Sequence, residues 1–307
     1  MIGDLVYILS LTFTSMTPIL LATVGEILTE RSGVVNIGIE GIFLLSSFTA
    51  ILIAFEYRDP YLGLLAGFLV GFISGIFHGF LSTYLRSDQI IVGVGFNMFA
   101  YGVGVFGLIS VWSAHGASPP LLNKTQVIAI RVGDYDLILQ PLFFASILLS
   151  VLIWLVLNKS SLGVMIRACG EDPRAAEISG MNVFMIRILS TALGGGLAGL
   201  GGAYLTVSWI GQYTRNISAG RGFIALANVA FSNWDPLLAI LGAFIFSLFD
   251  VLSIYIPMKL SILYGYVFAS QNNLFLTIPY ISTLIVVTVI SRRIRMPRAL
   301  GKPYVKE

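Results

Sequence analysis

NKSSLGVMIRACGEDPRAAEISGMNVFMIRILSTALGGGLAGLGGA (158–203) joins one compact polar segment to long apolar sequence on both sides. Asp172 followed by Pro173 reads as a helix N-cap and first helical residue. A side-chain oxygen satisfies free N–H groups there, and proline has no N–H to lose. Gly180 suits a left-handed stop. The spacing predicts a short helix over Pro173–Ser179, about two turns long, bounded by Gly170 and Gly180. Lys159, Arg167, Arg174 and Arg187 flank it, which places the loop on the cytoplasmic side of a membrane. Such a capped helix between two spans is either a handle for a soluble partner or an ordinary structured loop.

The composition agrees with a membrane setting. The chain is 57% hydrophobic and only 11% charged, whereas soluble domains carry roughly 25% charge. Apolar runs recur throughout, so the reading is all-α: one polytopic transmembrane domain over residues 1–307 with about eight to ten segments, re-entrant half-helices included. The net charge of +3 gathers in the tail 291–307 at Arg292, Arg293, Arg295, Arg298, Lys302 and Lys306. That tail is too short for a nucleic-acid module and reads as a positive-inside anchor, cytoplasmic in a cell membrane. The single Cys169 excludes an internal disulfide and a cysteine metal cluster within one chain. Met1–Asp4 carries no base, so the first apolar run reads as a span rather than a cleaved signal.

A span needs about 20 apolar residues. Candidates are Leu5–Val24, Val34–Ala54, Tyr61–Tyr84, Ile90–Trp112, Leu137–Leu157, Asn182–Val207, Leu237–Ile256 and Phe275–Ile290. Gly222–Trp234 is short for a straight span and is either a span or a re-entrant half-helix. Counting it as a crossing keeps the 158–181 loop and the basic tail on one side, so a crossing is favoured. The same alternation puts Arg86 inside, with Glu56–Asp59, the Ser113–Asp136 loop and the N-terminus outside.

Polar residues within the spans are the candidate functional groups. GEILTERSGVVNIGIEG (25–41) places Glu26, Glu30, Arg31, Asn36 and Glu40 in or beside apolar sequence. An isolated carboxylate in lipid is expensive. Glu40 is therefore either in a fold-holding ion pair, with Arg31 the nearby cation, or in contact with substrate. Asn97 lies mid-span as a packing link or a pore-lining group. His78 reads as a hydrogen-bonded helix residue, because no second ligand stands at metal spacing. Glycines at 67, 71, 75 and 79 and small residues at 190, 194, 198 and 202 form two ridges, each suited to close backbone approach. No GxxxxGK[ST] is present, so phosphate binding by a P-loop is not expected. Neither HExxH nor GxSxG occurs, which leaves a membrane enzyme poorly supported.

Three stretches resemble the permease subunits of ATP-binding-cassette importers for nucleosides and simple sugars. They are GEILTERSGVVNIGIEGIFLL (25–45), SDQIIVGVGFNMFAYGVG (87–104), and LGVMIRACGEDPRAAEISGMN with GGGLAGLGGAYL (162–205) continued by AGRGFIALANVAFSNWDPLLAILGAFIF (219–246). The runs at 30–41 and 220–227 look like the nucleoside branch. The resemblance implies a transport subunit without its own ATPase site. ATP and magnesium would be held by a separate cytoplasmic ATPase gripping the 158–181 loop through Arg167, Gly170, Asp172, Pro173, Ala175, Ala176 and Gly180. It further implies a second permease, identical or homologous, an extracytoplasmic binding protein, and no metal or cofactor on this chain. The path would pass near Asn36, Glu40, Asn97 and Asn228. An ion-coupled secondary transporter or channel, with Glu40 or Asp250 binding the ion, is the other reading.

Overall fold

Backbone polar groups in lipid must be satisfied internally, so long apolar sequence folds there as helix. The computed structural model of the chain describes residues 2–264, 275, 277, 278, 281, 282, 284, 288 and 295–305. The elements run α1 (Ile2–Arg31), α2 (Ile39–Tyr57), α3 (Pro60–Thr83), α4 (Gln89–Trp112), β1 (Ile128–Val132), β2 (Tyr135–Leu139), α5 (Pro141–Lys159), α6 (Ser161–Glu171), α7 (Pro173–Ile178), α8 (Val183–Tyr204), α9 (Arg221–Phe231) and α10 (Pro236–Tyr264). Among the described residues seven helices are long and apolar enough to cross a membrane: α1 to α5, α8 with its π-helical continuation Leu205–Ile210, and α10. The last expected span, Phe275–Ile290, falls mostly outside the described residues.

Helices α1, α2 and α8 form the centre. Their side chains from Ser10 to Glu30, Ile39 to Leu44 and Ser190 to Ser208 are mostly buried. Helices α3 and α4 flank one side, α5 and α10 the other. The two small-residue ridges meet as their spacing requires. A Cβ added at Gly71 would strike the Gly195 carbonyl and the Gly199 backbone, and one at Gly75 would lie 2.8 Å from the Ala192 Cα. The other face of α8 lies as closely on α1, where a Cβ at Gly25 would stand 2.5 Å from the Gly194 carbonyl oxygen. Backbone contact of this kind packs helices where lipid removes any hydrophobic drive.

Two features go beyond the sequence reading. The 113–140 connection contains an antiparallel hairpin, β1 with β2, paired from Ile128 opposite Leu139 to Val132 opposite Tyr135. Gly133 supplies the positive φ, +65°, that its turn needs. The fifth span therefore starts at Pro141 rather than Leu137. The second is Gly222–Trp234, left between a span and a half-helix by the sequence, whose α9 has 11 residues. That is about 16 Å of rise, half of a hydrocarbon core of about 30 Å. The non-helical stretch 211–220 precedes α9 on the hairpin side, where Ser118 N–H donates to the Tyr213 carbonyl at 2.9 Å. The half-helix then ends beside Arg31.

The described tail residues lie on the face that carries α6 and α7. Ala299 N–H donates to the Gly170 carbonyl at 2.8 Å and Gly301 N–H to that of Gly33 at 3.1 Å. Arg187, expected as a basic flank, is fully buried. It donates to the carbonyls of Ser32 (3.1 Å), Lys302 (3.2 Å) and Cys169 (3.3 Å), tying the α1–α2 connection, the tail and α6 together.

Candidate functional site

Chain 32–38, between α1 and α2, is non-helical and mostly buried. Irregular backbone at membrane depth survives only where side chains satisfy it, and polar residues scattered through the sequence converge to do this. Gln89 Oε1 accepts from Val35 N–H (2.7 Å), and His78 Nε2 pairs with the Val35 carbonyl (2.9 Å). Glu26 Oε1 accepts from Asn36 N–H (2.8 Å), and Asn36 Oδ1 from Gly38 N–H (3.0 Å). Asn97 closes the inner end: its Nδ2 donates to the Ile37 carbonyl (3.1 Å) and its Oδ1 accepts from Gly41 N–H (2.7 Å). Gly38 and Gly93 allow the approach, for a Cβ at Gly93 would stand 2.8 Å from Gly38 N.

The second broken segment, 211–220 with α9, meets the first at Glu40. No side chain of its own caps α9. The Glu40 carboxylate does so from the first turn of α2, accepting from Ser218 Oγ (2.5 Å), Gly220 N–H (2.8 Å) and Gly222 N–H (2.8 Å). Free N–H groups and the helix dipole both favour an anion at this end. A side chain at Gly222 would collide with Glu40, its Cβ 2.7 Å from the Glu40 nitrogen. The expected pairing of Glu40 with Arg31 does not form; Arg31 donates to the Trp234 carbonyl at 3.0 and 3.2 Å. Asp250, the other carboxylate considered for ion coupling, accepts from Arg221 Nη2 (2.9 Å) and Ser15 Oγ (2.8 Å), and the Arg221 guanidinium lies 4.9 Å from the Trp209 ring centre.

Of the four residues expected near the path, Asn36, Glu40 and Asn97 stand together around 36–41. Asn228 lies apart on α9 and links it to α1 and α10, donating to Thr23 Oγ1 (3.1 Å) and to the Ala239 carbonyl (3.0 Å). Asn36 Nδ2 and Asn228 Oδ1 are buried with no protein partner among the described residues. Asn97 is half-buried with both amide ends engaged. Asn97→Leu strands Gly41 N–H and the Ile37 carbonyl, each at about 1–3 kcal/mol. The expected result is a stability loss of about 2–4 kcal/mol in detergent, falling together with activity. An unchanged melting curve with lost activity would mark Asn97 as a ligand contact instead.

The 158–181 loop follows its sequence closely. Asp172 Oδ1 accepts from Arg174 and Ala175 N–H, both at 3.1 Å, and α7 starts at Pro173. Gly180 ends it at φ +85°. Preceding it, α6 was not foreseen; Ser160 caps it by accepting from Gly163 N–H (3.1 Å). Arg167 turns back to the Leu157 carbonyl and to Asn158 Oδ1. Gly170 has no room for a side chain, because a Cβ there would strike the Arg31 carbonyl. The two alanines differ: Ala175 is exposed, whereas Ala176 is buried with Cys169, Val183 and Tyr304. Ile178, not singled out in the sequence, is 89% exposed at the tip. Its signal was an apolar residue inside a polar, capped segment.

Comparison with known proteins gives the chain a family. The family described as branched-chain amino acid transport system / permease component matches residues 8–287. The guanosine ABC transporter permease protein NupQ of Bacillus subtilis is 31% identical, covering 99% of each chain. The nucleoside ABC transporter permease protein NupC of Lactococcus lactis is 30% identical over 94% of each. A putative glucose ABC transporter permease protein of Haloferax volcanii is 30% identical over 98% of each. No solved structure matches. The family match covers most of the chain and the relatives are similar over nearly their whole length, so the chain belongs to this family of ABC transporter permease components.

Proposed function

We propose that this permease carries nucleosides into the cell, driven by ATP and magnesium bound on a separate cytoplasmic ATPase. The ATPase docks on α6 and α7. A binding protein delivers substrate on the hairpin side, and a second permease, identical or homologous, completes the path. The observation that carries the transport reading is the meeting of two non-helical segments at Glu40, part-way through the bundle. Broken helices place non-helical backbone and a half-helix end inside the bundle, beside polar side chains that a passing polar solute can meet, which unbroken helices do not. Among the described residues Asn36 Nδ2 has no protein partner and Asn97 borders it, which leaves an amide atom for such a solute beside Glu40; Asn228 Oδ1, also unpartnered, lies further along α9. The guanosine and nucleoside relatives support the substrate class. The loop face carries Lys159, Arg167, Arg174, Arg295, Arg298 and Lys302, which supports a cytoplasmic loop and C-terminus.

The test is uptake of labelled guanosine, other nucleosides, glucose and leucine by the reconstituted transporter. Nucleosides are expected to be taken up and to compete with one another. Uptake of glucose or leucine alone would overturn the nucleoside assignment. Ile178→Asp and Ala175→Glu, both at exposed positions, are expected to leave insertion and thermal stability within about 0.5 kcal/mol. Each should weaken co-purification of the ATPase at least tenfold, since a new carboxylate would be buried unpaired at the centre of the contact. Full ATPase recovery with both changes would remove α7 from the docking surface.

A further inference from the structure

The loop-side end of half-helix α9 is fastened more heavily than its length requires. Trp234 is buried, and its Nε1 donates to Glu30 Oε2 at 2.5 Å while its carbonyl accepts both Arg31 bonds. Asn233 and Trp234 are successive non-glycine residues in the left-handed region, at φ +52° and +58°. A bulky residue there is unfavourable and persists only where its surroundings over-determine it. Asn233 Oδ1 accepts from Arg295 N–H at 2.8 Å.

Two of these three fastenings lead to the docking loop, and the Glu30 bond holds the Trp234 ring between them. The residue that holds the Trp234 carbonyl, Arg31, has its own carbonyl against Gly170 of α6, too close for a side chain. The tail that holds Asn233 bonds to Gly170 through Ala299 N–H, and its Tyr304 hydroxyl donates to Glu177 of α7. Thus α6 reaches α9 through Arg31, and α7 reaches it through the tail. At its other end α9 is capped by Glu40, beside Asn36 and Asn97. An 11-residue helix is a stiff rod on this scale, so displacement at Trp234 is passed to Glu40.

We propose that Trp234 is a positioning residue that transmits movement of the 158–181 loop to α9, with the 295–304 tail as a second strap. The inference rests on the transport reading above. Its test uses the complete reconstituted transporter, with a fluorescent maleimide on Phe223→Cys, an exposed position on α9. Cys169 needs no removal, because burial leaves it 0% exposed and pushes its thiol up to about 11.

In the otherwise unchanged protein, ATP should alter the labelling rate at position 223 at least threefold. Trp234→Phe keeps the ring and loses the bond to Glu30. It should assemble with the ATPase and hydrolyse ATP at the basal rate. The nucleotide-dependent change in labelling should disappear, and nucleosides moved per ATP should fall at least tenfold. Glu30→Gln, which keeps an acceptor for the indole N–H, should restore most of that ratio relative to Glu30→Ala. An unchanged ratio and labelling response in Trp234→Phe overturns the proposal, as does a labelling rate that ATP leaves unaltered in the unmodified clasp. If Trp234→Phe fails to assemble, the Glu30 pair decides by the same readouts. Failure of the transport reading looks different: the parent transporter takes up no nucleoside at all.

Discussion

Gly71→Leu will prevent normal assembly of the bundle. Its Cβ would sit on the Gly195 carbonyl and the Gly199 backbone, and neither can yield without separating α3 from α8 along their whole ridge. Overpacking of side chains against side chains costs about 1–3 kcal/mol. Against backbone, with no rotamer to relax, the upper end or more is expected. At roughly 2–4 °C per kcal/mol, the midpoint in detergent should drop by roughly 6–12 °C, with most of the protein aggregating on extraction. Gly102→Leu is the control. It lies in a helix with nothing within 4 Å of its Cβ, so the isolated chain should stay within about 0.5 kcal/mol of its parent. Equal stability of the two variants would show that α3 and α8 do not meet through these glycines.

Glu40→Ala is expected to release the inner end of α9. Ser218 Oγ and the N–H groups of Gly220 and Gly222 would lose their acceptor in a buried site. Bonds to a charged group contribute about 1.5–3 kcal/mol each, although the three are not additive. A local loosening of about 3 kcal/mol corresponds to roughly a hundredfold faster hydrogen exchange over 218–224. Uptake should fall with it. Glu40→Gln should fall between, since its amide NH₂ faces an N–H group and leaves one acceptor. Exchange that stays slow in Glu40→Ala while uptake is lost would reassign Glu40 to the substrate. The two measurements therefore separate the structural from the direct role, which the sequence had left open.

The carboxylates and amides within the spans show how the two levels of description divide. Their cost in lipid is a property of the sequence, and it marked Glu40, Asn97 and Asn36 as residues that need partners. Which partners depends on where the backbone is left unpaired, and that is set by helix breaks whose partners lie far along the chain. Glu40 caps a helix about 180 residues away. Arg187, beside a predicted basic loop, is instead at the centre of three strands of chain.

The sequence alone determined what depends on neighbours within a few residues: the apolar runs, the Asp172 cap with its Gly180 stop, and the four-residue glycine ridges on α3 and α8. Each follows from helical periodicity or local hydrogen bonding. Tertiary structure alone decided the capping of α9 by Glu40, the hairpin, the burial of Ala176 and the exposure of Ile178. It also decided the strap of tail residues over α6. These are choices between conformations that are locally similar in free energy, and they are settled only when distant chain supplies, or withholds, the partner for a buried polar group.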